Sequence, residues 1–280
     1  MNQWISSWQA LRLIERLVSV GVIISCAEFL AIRAELAPTG LLNFPIPQAR
    51  ARWMVRNYVS PVLDRIFNYP SVLVIICLRL GAATVLLAGV SQGATEATLC
   101  LLVAATSIAL SLRTPFGNDG ADQMTVLIFV ALTLARLADT TEAANVSLWF
   151  LALQTCLSYL TAGVAKAAEP IWRNGEAIKG IFRTTVYGHS TVSTLVQQYP
   201  ILARLAGWSV VTTECLFVLS IVCPRPIVFV FLAGGLLFHV ASAAVMGLNT
   251  FAWAFGATYP AVFYCSAICA MRLWGRPAIF

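Results

Sequence analysis

Ser71 to Val90 read SVLVIICLRLGAATVLLAGV, and this stretch decides the fold. Its single charge is Arg79. A helix of about 20 residues rises about 30 Å, the thickness of a bilayer's hydrocarbon core. Backbone in lipid must satisfy its own N–H and C=O groups, which leaves helices or closed barrels. Barrel strands alternate apolar and polar residues, whereas this run is continuously apolar and therefore reads as a helix.

Working outward, the same reading applies to Leu17 to Leu36, Ala94 to Leu112, Asp122 to Ala138, Val146 to Lys166, Leu205 to Val222, Ile227 to Met246 and Thr250 to Arg272. The whole chain agrees: 59% of its residues are hydrophobic and 11% charged, with a mean hydropathy of +0.82. Soluble domains carry roughly 25% charged residues. The expected fold is all-α, a polytopic transmembrane helical bundle of about eight spans forming one domain over residues 1–280, with no soluble domain. Arg12, Glu15 and Arg16 precede the first block without a convincing small-residue cleavage pattern, so that block reads as a retained helix. Two long loops, 37–70 and 167–204, are expected at the membrane interface. The first contains LLNFPIPQARARWMVRNYVSPVLDRI, arginines among aromatics and prolines, an amphipathic surface segment.

Several classes of function find no support. The net charge of +6 is borne mostly by loops and suits contact with membrane lipid. No basic stripe with interleaved aromatics points to nucleic acid. The eight cysteines show no CxxC and no Cys/His spacing, so they read as small hydrophobes and no metal is predicted. Phosphate-cradling glycine loops, nucleophile elbows and haem ligand pairs are missing too.

With eight spans, parity puts both long loops, the stretch RTPFGNDGA (113–121), the end of the helix bearing Lys166 and the turn 247–249 on one face. Lys166 lies in QTCLSYLTAGVAKAAEPIWRNGEAIKG (154–180), with Tyr159, Ala162 and Gly163 on neighbouring turns of one helical face. A lysine so far into an apolar run loses hydration, which costs free energy unless a partner holds its charge or the amine sheds its proton, and a neutral amine is a base. The small residues before it leave room for a second helix or a flat ligand. Glu169-Pro170 ends the helix, and Trp172, Arg173, Glu176 and Lys179 suit the membrane boundary.

Four other features call for chemistry. Arg79 and Glu214 both fall near the centres of their spans, and a buried ion pair between them is the economical expectation. His239, in LLFHVASAAVMGLN, suits proton relay, against the plainer reading of a histidine bonded to a neighbouring helix; His189, in a loop, is expected to be exposed. Asn118, Asp119 and Asp122 cluster at a helix start marked by Gly117 and Gly120, where capping accounts for one or two of the three. The segment NTFAWAFGATYP, opening on Asn249, reads as an interfacial belt or as the wall of a site for a ring-shaped ligand.

SYLTAGVAK with the following WRNGEAI, the upstream GNDGAD and the late FHVASAAVMGLNTFAWAFGATYPAV resemble the HTTM family, the membrane domain shared with vitamin K-dependent gamma-carboxylase. The likeness covers about three quarters of the chain. Bacterial members help mature a sporulation-delaying peptide toxin, so the resemblance implies a bacterial cytoplasmic membrane, a peptide substrate and a soluble accessory protein. In the carboxylase the lysine of the matching AG-x-x-K context is held to be the base that starts oxidation of a reduced, vitamin K-like quinone, a role that falls on Lys166 here. This chain has Asn118-Asp119 where the carboxylase has Asn-His, and no counterpart of the carboxylase's large soluble region is expected within residues 1–280.

Two functions are therefore expected. The first is a carboxylase-like membrane oxidoreductase or lyase that binds a hydroquinone between spans four, five and seven. Lys166 and His239 would be catalytic, Asn118, Asp119, Asp122, Tyr159 and Asn249 would contact the ligand, and Trp172 and Arg173 would guard its access. The second is a non-enzymatic membrane factor for maturation or export of a secreted peptide. A transporter is weaker, since no two-fold repeat is visible.

Overall fold

A computed structural model of the protein describes residues 5–50, 52–56, 58–90, 92–114 and 118–274; Gly117 and the side chains of Arg50 and Arg52 lie outside them. The described residues form helices α1 (Ser7–Ala31), α2 (Pro45–Arg50), α3 (Ser60–Phe67), α4 (Ser71–Ala88), α5 (Ala94–Arg113), α6 (Gly120–Ala138) and α7 (Thr141–Ala168). They continue with α8 (Pro170–Arg173), α9 (Glu176–Arg183), α10 (Ser190–Gln198), α11 (Pro200–Leu216), α12 (Arg225–Met246) and α13 (Asn249–Trp274). Short 3-10 turns cover Arg33–Leu36, Arg52–Val55 and Phe217–Ile221, the last prolonging α11. No strand occurs among the described residues.

Among the described residues, seven helices are long and apolar enough to cross a membrane: α4, α5, α6, α7, α11 with its 3-10 extension, α12 and α13. Their bounds lie within a few residues of the apolar blocks, because both follow from the same local hydropathy. The first block is corrected. Its helix starts at Ser7 rather than Leu17 and ends at Ala31 rather than Leu36. α1 has the length of a span but contains Arg12, Glu15, Arg16 and Glu28, more charges than any of those seven helices carries. Charges do not stop a helix whose carboxylates find partners, and Glu15 does.

The chain divides into two compact units, one of residues 12–144 and the other of residues 1–11 with 145–280. In the first unit α4, α5 and α6 pack in sequence. Arg136 donates to Glu15 Oε2 at 3.2 Å and pairs with Glu96 Oε1 at 2.9 Å, tying α6 to α1 and α5 by charges that are nearly withdrawn from solvent. Arg113, at the end of α5 and 1% exposed, donates from Nε to the Phe67 carbonyl at 2.9 Å and from a terminal nitrogen to the Leu36 carbonyl at 3.3 Å. Both acceptors are last residues of helical turns, whose carbonyls have no partner within the turn. One guanidinium thus fixes two points of the segment before α4. Phe44, Met54 and Phe67 form a small core beneath that segment, while Leu41, Trp53, Val55, Tyr58 and Val62 stay exposed.

In the second unit α12 packs on α13, and the short helices α8, α9 and α10 gather on α11. α9 is amphipathic: Ile178 is buried with Val196 and Ala203, and Phe182 packs against them. Its polar side carries Glu176 and Lys179, paired at 2.8 Å, and Arg183, which donates to Gln197 at 3.1 Å. The turn between α8 and α9 needs Gly175. Its φ is +87°, and an added Cβ would lie 2.6 Å from the Arg204 nitrogen, so a side chain is excluded both by strain and by the closeness of α11.

Candidate functional site

The last turn of α7 sets Lys166 against α11. Lys166 Nζ donates to both oxygens of Glu214, at 2.8 and 2.7 Å, a two-point charge-assisted contact. The helices meet there because Gly163, one turn earlier on α7, has no side chain. A Cβ at Gly163 would lie 2.7 Å from the Cys215 nitrogen and 2.9 Å from the Glu214 Cβ. Trp172 on α8 lies over the ammonium, its ring centre 5.3 Å from Nζ, in cation–π contact. Of the two fates open to a desolvated lysine, the structure shows the first, a partner that holds the charge. The expected Arg79–Glu214 pair is therefore corrected. Glu214 belongs to Lys166, and Arg79 donates to Ser25 Oγ at 3.4 Å. Hydrocarbon disfavours any unpaired charge equally, and depth in a span does not identify the partner.

Two turns up α7, the Tyr159 hydroxyl bonds to His239 Nε2 of α12 at 2.5 Å and to the Tyr259 hydroxyl of α13 at 2.7 Å. All three residues are buried. The Tyr159 ring stacks on Phe217 at 4.1 Å between centres, and His239, Phe251 and Phe255 lie nearly parallel, with the His239–Phe255 centres 5.1 Å apart and the Phe251–Phe255 planes 6° from parallel.

These two polar stations share one cavity of about 460 Å³. Tyr159, Ala162, Lys166, Glu214, His239 and Ser242 are on its wall, with Phe238, Phe251 and Phe255 supplying rings and Ile178, Ile181 and Phe182 of α9 contributing an apolar side. The size suits a small lipophilic molecule, and apolar walls with few convergent polar groups are what such sites look like. Lys166, His239, Tyr159 and Trp172 of the expected set are brought together here. Of the small residues before Lys166, Gly163 admits a helix and Ala162 faces the cavity. Arg173 is exposed on α8 and Asn249 is exposed at the start of α13; neither lines the cavity, although Leu248 and Phe251 on either side of Asn249 do.

Asn118, Asp119 and Asp122 belong to the first unit, and local bonds account for all three. Asp119 accepts from the Ala121 and Asp122 backbone nitrogens, and Asp122 accepts from the Asp119 nitrogen, which closes a capping box on α6. Asn118 donates to the Ser111 carbonyl at 2.9 Å. Burial holds the Asp119 carboxyl above its ordinary range, opposed by the backbone donors it accepts from. Asn118 and Asp122 also line, with Arg79 and Ser107, a cavity of about 20 Å³. That is room for about one water and not for a ring. His189 is exposed and caps α10, accepting from the Val192 nitrogen at 3.5 Å. The cysteines are all free thiols, with Cys26, Cys100, Cys156 and Cys265 buried.

Sequence reasoning missed Tyr259 and Phe217. Tyr259 carried one available signal, a phenol deep in an apolar helix, which needs a hydrogen-bond partner when buried. Comparison with known protein families, with curated proteins and with solved structures finds no match in any of the three.

Proposed function

We propose that the second unit binds a hydroquinone-like ring in the 460 Å³ cavity and that the Lys166–Glu214 pair withdraws a proton from it. The observation that carries this reading is the placing of that pair and of the Tyr159–His239 pair on the wall of one apolar cavity lined by near-parallel rings. An ammonium is not a base. Lys166 becomes one when its proton passes along the 2.7 Å contact to Glu214, leaving a neutral amine beside a neutral acid. The amine then takes a ring hydroxyl's proton and ends as an ammonium next to protonated Glu214. The positive charge gained by the pair balances the negative charge left on the ring oxygen. Trp172 stabilises that ammonium through its ring face. His239 and Tyr159 hold the opposite side of the ligand, and the apolar wall from α9 excludes water, which strengthens each polar contact inside.

The reading fits the HTTM resemblance, in which ring oxidation drives modification of a peptide in the bacterial cytoplasmic membrane with a soluble accessory protein. The two-electron acceptor would be dioxygen. The test is anaerobic binding of a panel of reduced quinones to purified protein in detergent, followed by admission of oxygen, with Lys166→Ala alongside. Binding and oxidation by the wild type, and loss of oxidation by a folded Lys166→Ala, are expected. Failure of every quinone to bind would refute the reading and favour the non-enzymatic factor for peptide maturation or export, with Lys166–Glu214 as a structural pair.

A further inference from the structure

We infer that the small cavity of the first unit binds one water molecule, which joins Arg79 of α4 to Asp122 of α6 as a water-bridged ion pair. The site lies within residues 12–144, apart from the ligand cavity of the second unit, and does not depend on what binds there.

Arg79 is the only charge of α4 and is 5% exposed. A guanidinium carries five N–H donors and keeps its charge. One hydrogen bond serves them, from Nη1 to Ser25 Oγ at 3.4 Å, longer than N–H···O bonds usually are. Nε is buried and meets no acceptor among the described residues. Nor does any ion pair among the described residues include Arg79. Cys26 lies close by, but a thiol is a weak acceptor. A charge held so loosely inside a span is costly and calls for a further partner.

The cavity beside it supplies one. Arg79 lines a space of about 20 Å³ with Asp122, Ser107, Ser111 and Asn118, room for about one water. Asp122 is near enough for its charge to act on Arg79, though the two side chains do not touch. Its Oδ2 accepts from the Asp119 nitrogen at 3.1 Å, and a carboxylate has lone pairs for more donors than one. An occupant of this space has to accept from a cation and donate to an anion. A halide meets the Asp122 carboxylate, with Asp119 beside it in the chain, and is repelled. A small cation is repelled by Arg79. Water does both, and a bridging water is nearly as good as a direct hydrogen bond. Asn118 on the same wall is exposed, so water reaches the cavity from the start of α6. The bridge gives the buried charge of α4 its counter-ion within its own unit. It also ties the capping box of α6 to the interior of α4.

A crystallographic density map at a resolution that shows ordered water tests this on the wild type, with chloride replaced by bromide in a second crystal. One peak is expected within hydrogen-bond distance of both Arg79 and an Asp122 oxygen, with no anomalous bromide signal. The absence of a peak, a direct contact between the two side chains, or bromide at the site would each overturn the inference. Thermal unfolding supplies a second test. Arg79→Met should lower the melting temperature by several degrees, as should Asp122→Asn, which keeps an oxygen for the Asp119 nitrogen. The double variant should lose less than the sum of the two. Ser111→Val, which fills the cavity, should destabilise the wild type and leave the double variant unchanged. Additive losses, or an equal effect of Ser111→Val in both backgrounds, would overturn the bridge. The wild-type map decides the matter even where Arg79→Met does not fold.

Discussion

Replacing Gly163 by alanine tests the contact on which the site depends. The new Cβ would stand 2.7 Å from the Cys215 backbone nitrogen, 2.8 Å from its Sγ and 2.9 Å from the Glu214 Cβ. Ordinary contact begins near 3.4 Å, so α7 and α11 must part by about 0.7 Å, and a helix backbone cannot turn aside as a side chain can. Lys166 lies one turn further on. The same separation stretches its 2.7 and 2.8 Å bonds to Glu214 beyond the range of strong charge-assisted contacts. Overpacking costs about 1–3 kcal/mol, and the weakened charged hydrogen bond adds about 1.5 kcal/mol. Alanine's preference over glycine in a helix returns about 1 kcal/mol. The net loss is about 1.5–3.5 kcal/mol, a fall of about 3–14 °C in melting temperature. Gly234 is the control, because a Cβ there meets nothing within 4 Å. Gly234→Ala should be neutral or stabilising by up to about 1 kcal/mol. Thermal unfolding of both variants in one detergent decides the matter. Equal stability of Gly163→Ala and Gly234→Ala would refute the claim that glycine at 163 sets the α7–α11 distance.

Three further outcomes follow from the same geometry. Lys166→Met and Glu214→Leu should each cost about 3–5 kcal/mol by leaving a charge unpaired, while the double variant should recover most of that loss yet bind no reduced quinone; additive losses in chemical unfolding would mean that the pair is not coupled. Arg113→Met, which deprives the Phe67 and Leu36 carbonyls of their donor, should destabilise by about 3 kcal/mol and open residues 33–70 to protease before any other part of the first unit, and uniform digestion would count against the clamp. Burial raises the Asp119 carboxyl, so the folded state holds its proton more tightly than the unfolded chain does, and the stability it contributes is full below the ordinary value of 3.8 and declines as pH rises above it. Asp119→Asn, which still caps a helix, should flatten that decline in melting temperature against pH, and an unchanged slope would assign it to another group.

How far the site was legible varies residue by residue. The capping of α6 was readable, because Asp119 and Asp122 are three apart and their bonds are local. Lys166 and His239 stood out because a titratable group within apolar sequence is conspicuous by itself. The partner of Glu214 was not readable, and Arg79 was the wrong choice, since any buried cation of suitable depth satisfies the same requirement. Tyr259 was passed over for the complementary reason: its partner is 100 residues away, and a tyrosine in an aromatic helix looks like interfacial belt.

By itself the sequence determined that this is an all-helical membrane protein, where most spans begin and end, and which charges have no cheap place in lipid. Those properties follow from hydropathy and hydrogen bonding within single helices, which short stretches of chain specify alone. Tertiary structure decided which charge pairs with which, that Gly163 serves a helix contact, and that Lys166, Glu214, Tyr159 and His239 share one cavity. Helices that are apolar on nearly every face carry little periodic signal for their neighbours. Their pairing is settled by close packing at small residues and by the few polar groups that must meet, and both depend on atoms far apart in the chain.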